Sequence, residues 1–510
     1  MKKAILFSMI VSFILSGCKS TTEIVTTKKD DGKITFNLLA INDVYEIAPL
    51  GGGEYGGMAR VAHIHDSIKK INPNTFLFMA GDFLNPSLLG TIKYNGERIR
   101  GKQMIEVMNA MDFDLVTFGN HEFDLSESEL QKRLDESNFQ WISSNTFHKI
   151  GDKAVPFKSA KGDVAFTYAF NLSDKDGTNA RVNFFSTTTA SNPQEYVYYG
   201  DINEYAKKAI ESLTDNDVLV GFTHNTLAED IALVKFLPQT AINLIIGGHE
   251  HNNMLVPVND TKIAKADANA KTVYLHTFTL NKNTSKLDID SKLISVNEKT
   301  GSNTKVKAIV DKWETILDSE IKNVISNPDE VVYKAAVPLD GTDDSGRSKQ
   351  TNLGLIISHA MADAFEGVDA AFVNGGSFRL DDKLSGDITS LDIFRVLPFG
   401  GSIYKVTVKG SLLKEILEYG ENAIGTGAYL QLYNFKKVSN GEWLIEGKSI
   451  KDSENYKVAT TDFLLKGYDI PFLKPENKGI VEVYKPIEIE VAYDIRKAVI
   501  AYLKNLQIEK

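Results

Sequence analysis

An amide, an imidazole and two carboxylates follow one another in Gly119-Asn120-His121-Glu122-Phe123-Asp124, directly after the apolar run Leu115 to Phe118. The run reads as a short buried strand, and the glycine after it lets the chain turn, so Asn120, His121 and Asp124 fall in a loop at the strand's carboxyl end. Alone, these types also describe an ordinary polar turn. Their companions make them specific. Asp43 follows Ile34 to Ile41, Asp82 follows Thr75 to Ala80, His224 follows Val218 to Thr223, and His249 and His251 follow Leu244 to Gly248. In a chain with nine histidines, strand ends that each deliver a nitrogen or oxygen ligand point to one divalent-metal cluster. His249 and His251 alternate with Glu250, so on an extended segment both imidazoles face the same side.

From Ile34 onward, apolar strands alternate with amphipathic segments, the pattern of a layered α/β domain. Met58, Val61, Ala62, His65 and Ile68 recur at helical spacing; His65 on that apolar face reads as a core histidine, and His63 lies off the face. Gly101 to Met111 gives a second helix, and Arg181 to Thr187 a further strand. Gly51 to Gly57 is glycine-rich but lacks the lysine and spacing of a phosphate-cradling loop. After the polar stretch Asn297 to Asn303, the residues Val306, Ile309, Val310, Trp313, Ile316 and Leu317 predict a helix joining two domains, with Pro328 marking its end. A chain of 510 residues is too long for one core. The net charge of −10 argues against a nucleic acid polymer as partner and leaves room for a local basic pocket. Nothing marks an oligomeric state.

Lys2 and Lys3 precede the apolar stretch Ala4 to Leu15, so residues 1–17 read as a signal peptide. Leu15-Ser16-Gly17-Cys18 resembles a bacterial lipobox, in which Cys18 is lipidated and becomes the mature N-terminus. It is the chain's only cysteine, which excludes an internal disulfide. Residues 18–33 form a polar tether, 34–303 the catalytic domain, 304–328 the linker helix and 329–510 the C-terminal domain. Lys19 replaces the aspartate that tends to retain such lipoproteins at the inner membrane, which favours a lipid-anchored envelope protein on the outer membrane, facing the periplasm or the cell surface.

The ordered blocks Asn42-Asp43, Gly81-Asp82, Gly119-Asn120-His121-Glu122, Thr223-His224 and Gly248-His249-Glu250-His251 resemble the signature of the calcineurin-like metallophosphoesterases. Gly346 to Gly354, Asn374-Gly375-Gly376-Ser377-Phe378-Arg379 and Val396-Leu397-Pro398-Phe399-Gly400 narrow the resemblance to the 5'-nucleotidase and UDP-sugar hydrolase family. The resemblance implies a four-layer α/β metallophosphoesterase domain followed by a separate mixed α/β substrate-binding domain. It implies two divalent metals (Mn, Zn, Mg or Co), bridged by Asp82, with Asp43 and His251 on one and Asn120, His224 and His249 on the other. His121 would hydrogen-bond the leaving-group oxygen or the phosphoryl group, with Asp124 orienting it. Arg347 and Arg379 would contact phosphate, Asn374 would lie near the nucleoside, and Tyr429 would stack on the base with Phe472 or Tyr468 as its counterpart.

The first block departs from the family at Asp43-Val44-Tyr45, where Asp-x-His is usual. A phenol, with a free pKa of about 10, is a poorer ligand than imidazole. Either Tyr45 binds a harder metal as phenolate, or water or Glu46 takes the place, or the first site is weak; a water-completed or altered first site is expected. The expected substrates are nucleoside 5'-monophosphates. Alternatives are UDP-sugar or dinucleotide pyrophosphate hydrolysis, 2',3'-cyclic nucleotide phosphodiester or sulfur-ester hydrolysis, and a degenerate nucleotide-binding lipoprotein.

Overall fold

The computed structural model describes residues 30–237, 242–325 and 327–508. The signal peptide, Cys18 and most of the tether lie outside the described residues. Two six-stranded sheets build the N-terminal domain. The first has the order Lys286–Ser295, Thr272–Asn281, Lys33–Ile41, Thr75–Ala80, Leu115–Thr117, Gln140–Ile142, the last four parallel. The second runs Thr167–Ser173, Asn179–Thr188, Val218–His224, Leu244–Gly247, Thr261–Lys265, Met254–Val258, its middle four parallel.

The near-continuous apolar runs in these strands follow from burial on both faces. In Lys33–Ile41, Phe36, Leu38 and Ala40 point to the partner sheet, where they meet Phe184, Phe222 and Ile246. Leu39 and Ile41, one position out of phase, point the other way into a core closed by helices. Helices Met58–Ile71, Lys102–Ala110, Glu127–Glu136 and Thr304–Ile321 cover the first sheet, and Ile202–Glu211 and Leu227–Phe236 the second. The result is helix, sheet, sheet, helix. His65 is buried on Met58–Ile71 and His63 exposed.

Thr304–Ile321 is capped by the Asn303 side chain, which accepts from the Val306 amide. Its stripe of Val306, Val310, Trp313, Leu317 and Ile321 is buried in the N-terminal core, so the connecting helix is also a structural part of that domain. It ends at Ile321, ahead of Pro328.

The C-terminal domain has a five-stranded sheet in the order Leu430–Tyr433, Ala370–Asn374, Asn455–Thr461, Ile403–Lys409, Ile480–Tyr484. Helices Asn352–Asp363 and Ile495–Ile508 pack on one face and Gly410–Asn422 on the other. Ala371 and Val373 feed the first core and Ala370 and Phe372 the second. Asn374 ends the strand, and the following turn carries the chain through Arg379 toward the N-terminal domain.

Candidate active site

Asp43, Asp82 and Asn120 leave the carboxyl ends of parallel strands in the first sheet, and His224 and His249 those of the second. The site therefore forms where the two sheets' carboxyl ends meet. Asp43, Asp82 and His249 have φ of 52°, 56° and 84°, left-handed values that cost a non-glycine residue about 1–3 kcal/mol and persist only where the surroundings enforce them. His249 and His251 thus sit in a tight turn rather than on the extended segment expected from their alternation. At Gly119 a Cβ would overlap the Asp82 carboxylate, so that close approach requires glycine.

The His224 Nδ1 donates to the Ala80 carbonyl at 2.7 Å, which leaves Nε2 facing inward, 3.2 Å from Asp82 Oδ2 and 3.9 Å from Asp43 Oδ1. Asp43 Oδ2 accepts from Asn42 Nδ2 at 2.7 Å and from the His249 amide at 2.9 Å, which turns Oδ1 toward His224 and, at 3.6 Å, toward His251 Nε2. Asp43 Oδ1 and His224 Nε2 are buried and neither makes a well-formed hydrogen bond. Orphaned donor atoms of this kind, among ligands lying within 4.8 Å of one another, are what a divalent cation satisfies. His249 Nδ1 lies 3.1 Å from Asn120 Oδ1. The donor set of carboxylates, imidazoles and one amide fits divalent cations.

Burial, with His224 adding to it, pushes the His249 imidazole down to about 3, keeping it neutral. At His224 burial opposes the charge, but Asp82 and Asp43 outweigh it and raise the pKa to about 10. His251 is likewise raised to about 9, with Asp381 and Asp343 overcoming burial. Without cations the carboxylates hold protons on these rings, so metal binding releases them. Tyr45 is buried, and its phenol is pushed well above its ordinary value by burial and then by Asp82 and Asp43. It donates to Asp82 Oδ2 at 3.2 Å and stands 3.2 Å from His251 Nε2.

Beside this cluster, the His121 amide donates to Asp82 Oδ1 at 2.7 Å and His121 Nδ1 lies 2.8 Å from Asp124 Oδ2. Asp124 also accepts from Asn85 Nδ2 and Asn192 Nδ2, each at 2.7 Å. Burial opposes its charge, but His121 dominates and holds the carboxyl below its usual range. The other ring nitrogen, Nε2, is met at 3.3 Å by Arg379 Nη1 from the C-terminal domain.

Residues 36–253 match the family model for calcineurin-like phosphoesterases, and residues 331–474 match that for the 5'-nucleotidase C-terminal domain. The chain joins a calcineurin-like phosphoesterase domain to a 5'-nucleotidase C-terminal domain. It is a metal-dependent phosphoester hydrolase. The trifunctional nucleotide phosphoesterase protein YfkN of Bacillus subtilis (strain 168) is 28% identical over 466 residues, covering 80% of this chain but 31% of that longer protein. The 5'-nucleotidase of Bos taurus is 26% identical, covering 74% of this chain and 69% of its own. The crystal structure of a 5'-nucleotidase precursor from Thermus thermophilus superposes with a TM-score of 0.73 at 21% identity, covering 93% of this chain and 97% of that one; this is a likeness of fold.

In the second domain, Arg347 pairs with Asp343 at 2.7 Å. Asn374 Nδ2 donates to Asp469 Oδ2 at 2.8 Å and its Oδ1 accepts from Ser377. Tyr429 is buried, and its hydroxyl accepts from Gln350 at 3.2 Å. Phe472 packs edge-on against Tyr419 at 5.5 Å, against the domain core, whereas Tyr468 is 66% exposed beside Phe463. Of the two candidate counterparts to Tyr429, Tyr468 is the more exposed.

The sequence reading missed three groups. Glu122 is buried and accepts from four amides, those of Asp82, Phe83, Leu84 and Gly119, at 2.9, 2.8, 3.1 and 2.6 Å, so one carboxylate ties the Asp82 loop to the Asn120 loop. Lys265 is buried, pairs with Asp230 at 3.0 Å and with Glu250, and donates to the Asn225 carbonyl. Glu250 points away from the ligands to Lys265 and the Leu227 amide, anchoring the turn that presents His249 and His251. The third is Asp381, 3.0 Å from His251 Nδ1. Glu122 and Glu250 could have been suspected from their places inside ligand blocks; Lys265 and Asp381 carry no such mark.

Proposed function

We propose that the enzyme hydrolyses nucleoside 5'-monophosphates to nucleoside and inorganic phosphate. The observation that carries this is the approach of Arg379 to His121 Nε2 at 3.3 Å, which sets an anion-binding guanidinium from the second domain against the dyad at the edge of the metal cluster. An incoming phosphoryl group would replace this direct contact, its oxygens taken by the Arg379 fork on one side and faced by His121 on the other. Asp43, Asp82 and His251 would hold one cation and Asp82, Asn120, His224 and His249 the other. Bound there, the pair lowers the pKa of a water and neutralises phosphoryl charge. Asp124 fixes the His121 ring so that Nε2 meets the leaving 5' oxygen. Arg347 would make a second phosphate contact, Asn374 would lie near the nucleoside and Tyr429 against the base, with stacking worth about 1–3 kcal/mol.

We further propose that Cys18 is lipidated and anchors the enzyme to the outer membrane. The lipobox supports this, and no helix among the described residues is long and apolar enough to cross a membrane. Cys18→Ala should release the protein from the membrane fraction.

The activity is tested on tether-deleted protein stripped with EDTA and resupplied with Mn, Zn, Mg or Co. Phosphate release is followed from AMP, UMP, ATP, UDP-glucose and 2',3'-cyclic AMP. Metal-restored release from AMP or UMP is expected. Turnover of UDP-glucose or the cyclic nucleotide alone transfers the reading to those reactions, and no turnover with any metal overturns it.

A further inference from the structure

Two side chains of the C-terminal domain reach into the metal cluster of the N-terminal one. Arg379 meets His121, and two residues later Asp381 meets His251, with Oδ2 3.0 Å from Nδ1. The other Asp381 oxygen accepts from the Asp343 amide at 2.8 Å. From the N-terminal side, Lys271 Nζ donates to the Asp381 carbonyl at 2.7 Å. Asp381 is 7% exposed and has a φ of 51°, so a strained backbone holds this carboxylate against the imidazole.

An imidazole ligates through one nitrogen, and a carboxylate on the other fixes its tautomer, its orientation and its basicity. With Nδ1–H donating to Asp381, the free lone pair of His251 is Nε2, the atom 3.6 Å from Asp43 Oδ1. At this metal position Tyr45 stands where the family usually has a second imidazole. His251 is then the imidazole on which the position depends, and its orienting partner belongs to the other domain.

We propose that Asp381 is a positioning residue for His251, and that docking of the substrate-binding domain completes the metal position formed by Asp43, His251 and the shared Asp82. Closure and occupancy of that position are reciprocally linked: whatever favours docking tightens the ion, and the ion favours docking by the same factor. This rests on the two-metal reading above.

The test titrates Mn(II) into metal-free full-length mature protein by calorimetry, with small-angle scattering at zero and saturating metal. The unaltered protein should bind two equivalents and become more compact as they bind. Asp381→Ala should weaken one equivalent by about 10–100-fold, the range for loss of an outer partner, leave the other within about threefold, and blunt the compaction. Asp381→Asn, which keeps the volume, should weaken the same equivalent and decides the matter should the alanine variant misfold. Asp382→Ala, whose partner Lys271 is 3.9 Å away, should change neither equivalent. His251→Ala is the reference and should lose one. Should His251→Ala lose an equivalent while both Asp381 variants keep two at the original affinities, the linkage is overturned and the metal site stands. Should His251→Ala itself keep both, the two-metal reading falls.

Discussion

Tyr45 is the residue on which this chain's metal chemistry turns. Its hydroxyl lies 3.2 Å from both Asp82 Oδ2 and His251 Nε2, inside the space of the first metal position, and burial beside two carboxylates keeps its proton on. A neutral phenol that donates to the bridging carboxylate competes with a cation for the same oxygen. Tyr45→His removes that donor and supplies a nitrogen ligand, so Zn(II) or Mn(II) affinity at this position should rise by on the order of tenfold, the smallest effect usual for a change beside a metal. Equilibrium titration of the variant checks this, and unchanged affinity would mean that the phenol already ligates. The residues gathered at the strand ends were legible because each block follows an apolar strand. Asp381 was not: it contacts a residue 130 positions away, and the pair Asp381-Asp382 shortly after an arginine has no pattern of its own.

The loops that carry the ligands keep their shape through buried charges of the scaffold. Glu122 satisfies four amides from two loops, and in Glu122→Gln the side-chain NH2 cannot accept, so amides on one oxygen lose their partner at about 1–3 kcal/mol each. The variant should unfold at lower temperature and bind metal more weakly, while Glu127→Gln, on a partly exposed helix start, should do neither; calorimetry of both separates the cases. Strands and helices were readable from apolar period, since Lys33–Ile41 alternates between two cores. The left-handed turn at His249 was not, because the strain there is held by distant partners: the Asp43 carboxylate on its amide and the Lys265 pair behind Glu250. Which of the two candidate aromatics is exposed was equally hidden, since Tyr468 and Phe472 differ in their packing against Phe463 and Tyr419 rather than in type.

The two domains meet across the chemistry itself. Arg379 and Asp381 bind the N-terminal dyad and metal ligand, and Lys271 holds the Asp381 backbone from the opposite side. A nucleotide whose phosphoryl group replaces the Arg379–His121 contact while its base lies against Tyr429 touches both domains, so its entry requires the domains to part and its hydrolysis requires them to close again around it. A clamp at the rim of the cleft should then block turnover without touching any ligand. Lys271→Cys with Asp382→Cys, in a mature chain lacking Cys18, places one thiol on each side where the native side chains are 3.9 Å apart. A reducible bifunctional thiol reagent bridging them should lower kcat by at least about tenfold, a barrier increase of about 1.4 kcal/mol. Reduction should restore it to the rate of the unbridged double variant, which is the reference. If the bridged enzyme runs at the unbridged rate, nucleotides enter and leave without domain separation, and the contacts of Arg379 and Asp381 are permanent parts of the site rather than ones made in each cycle.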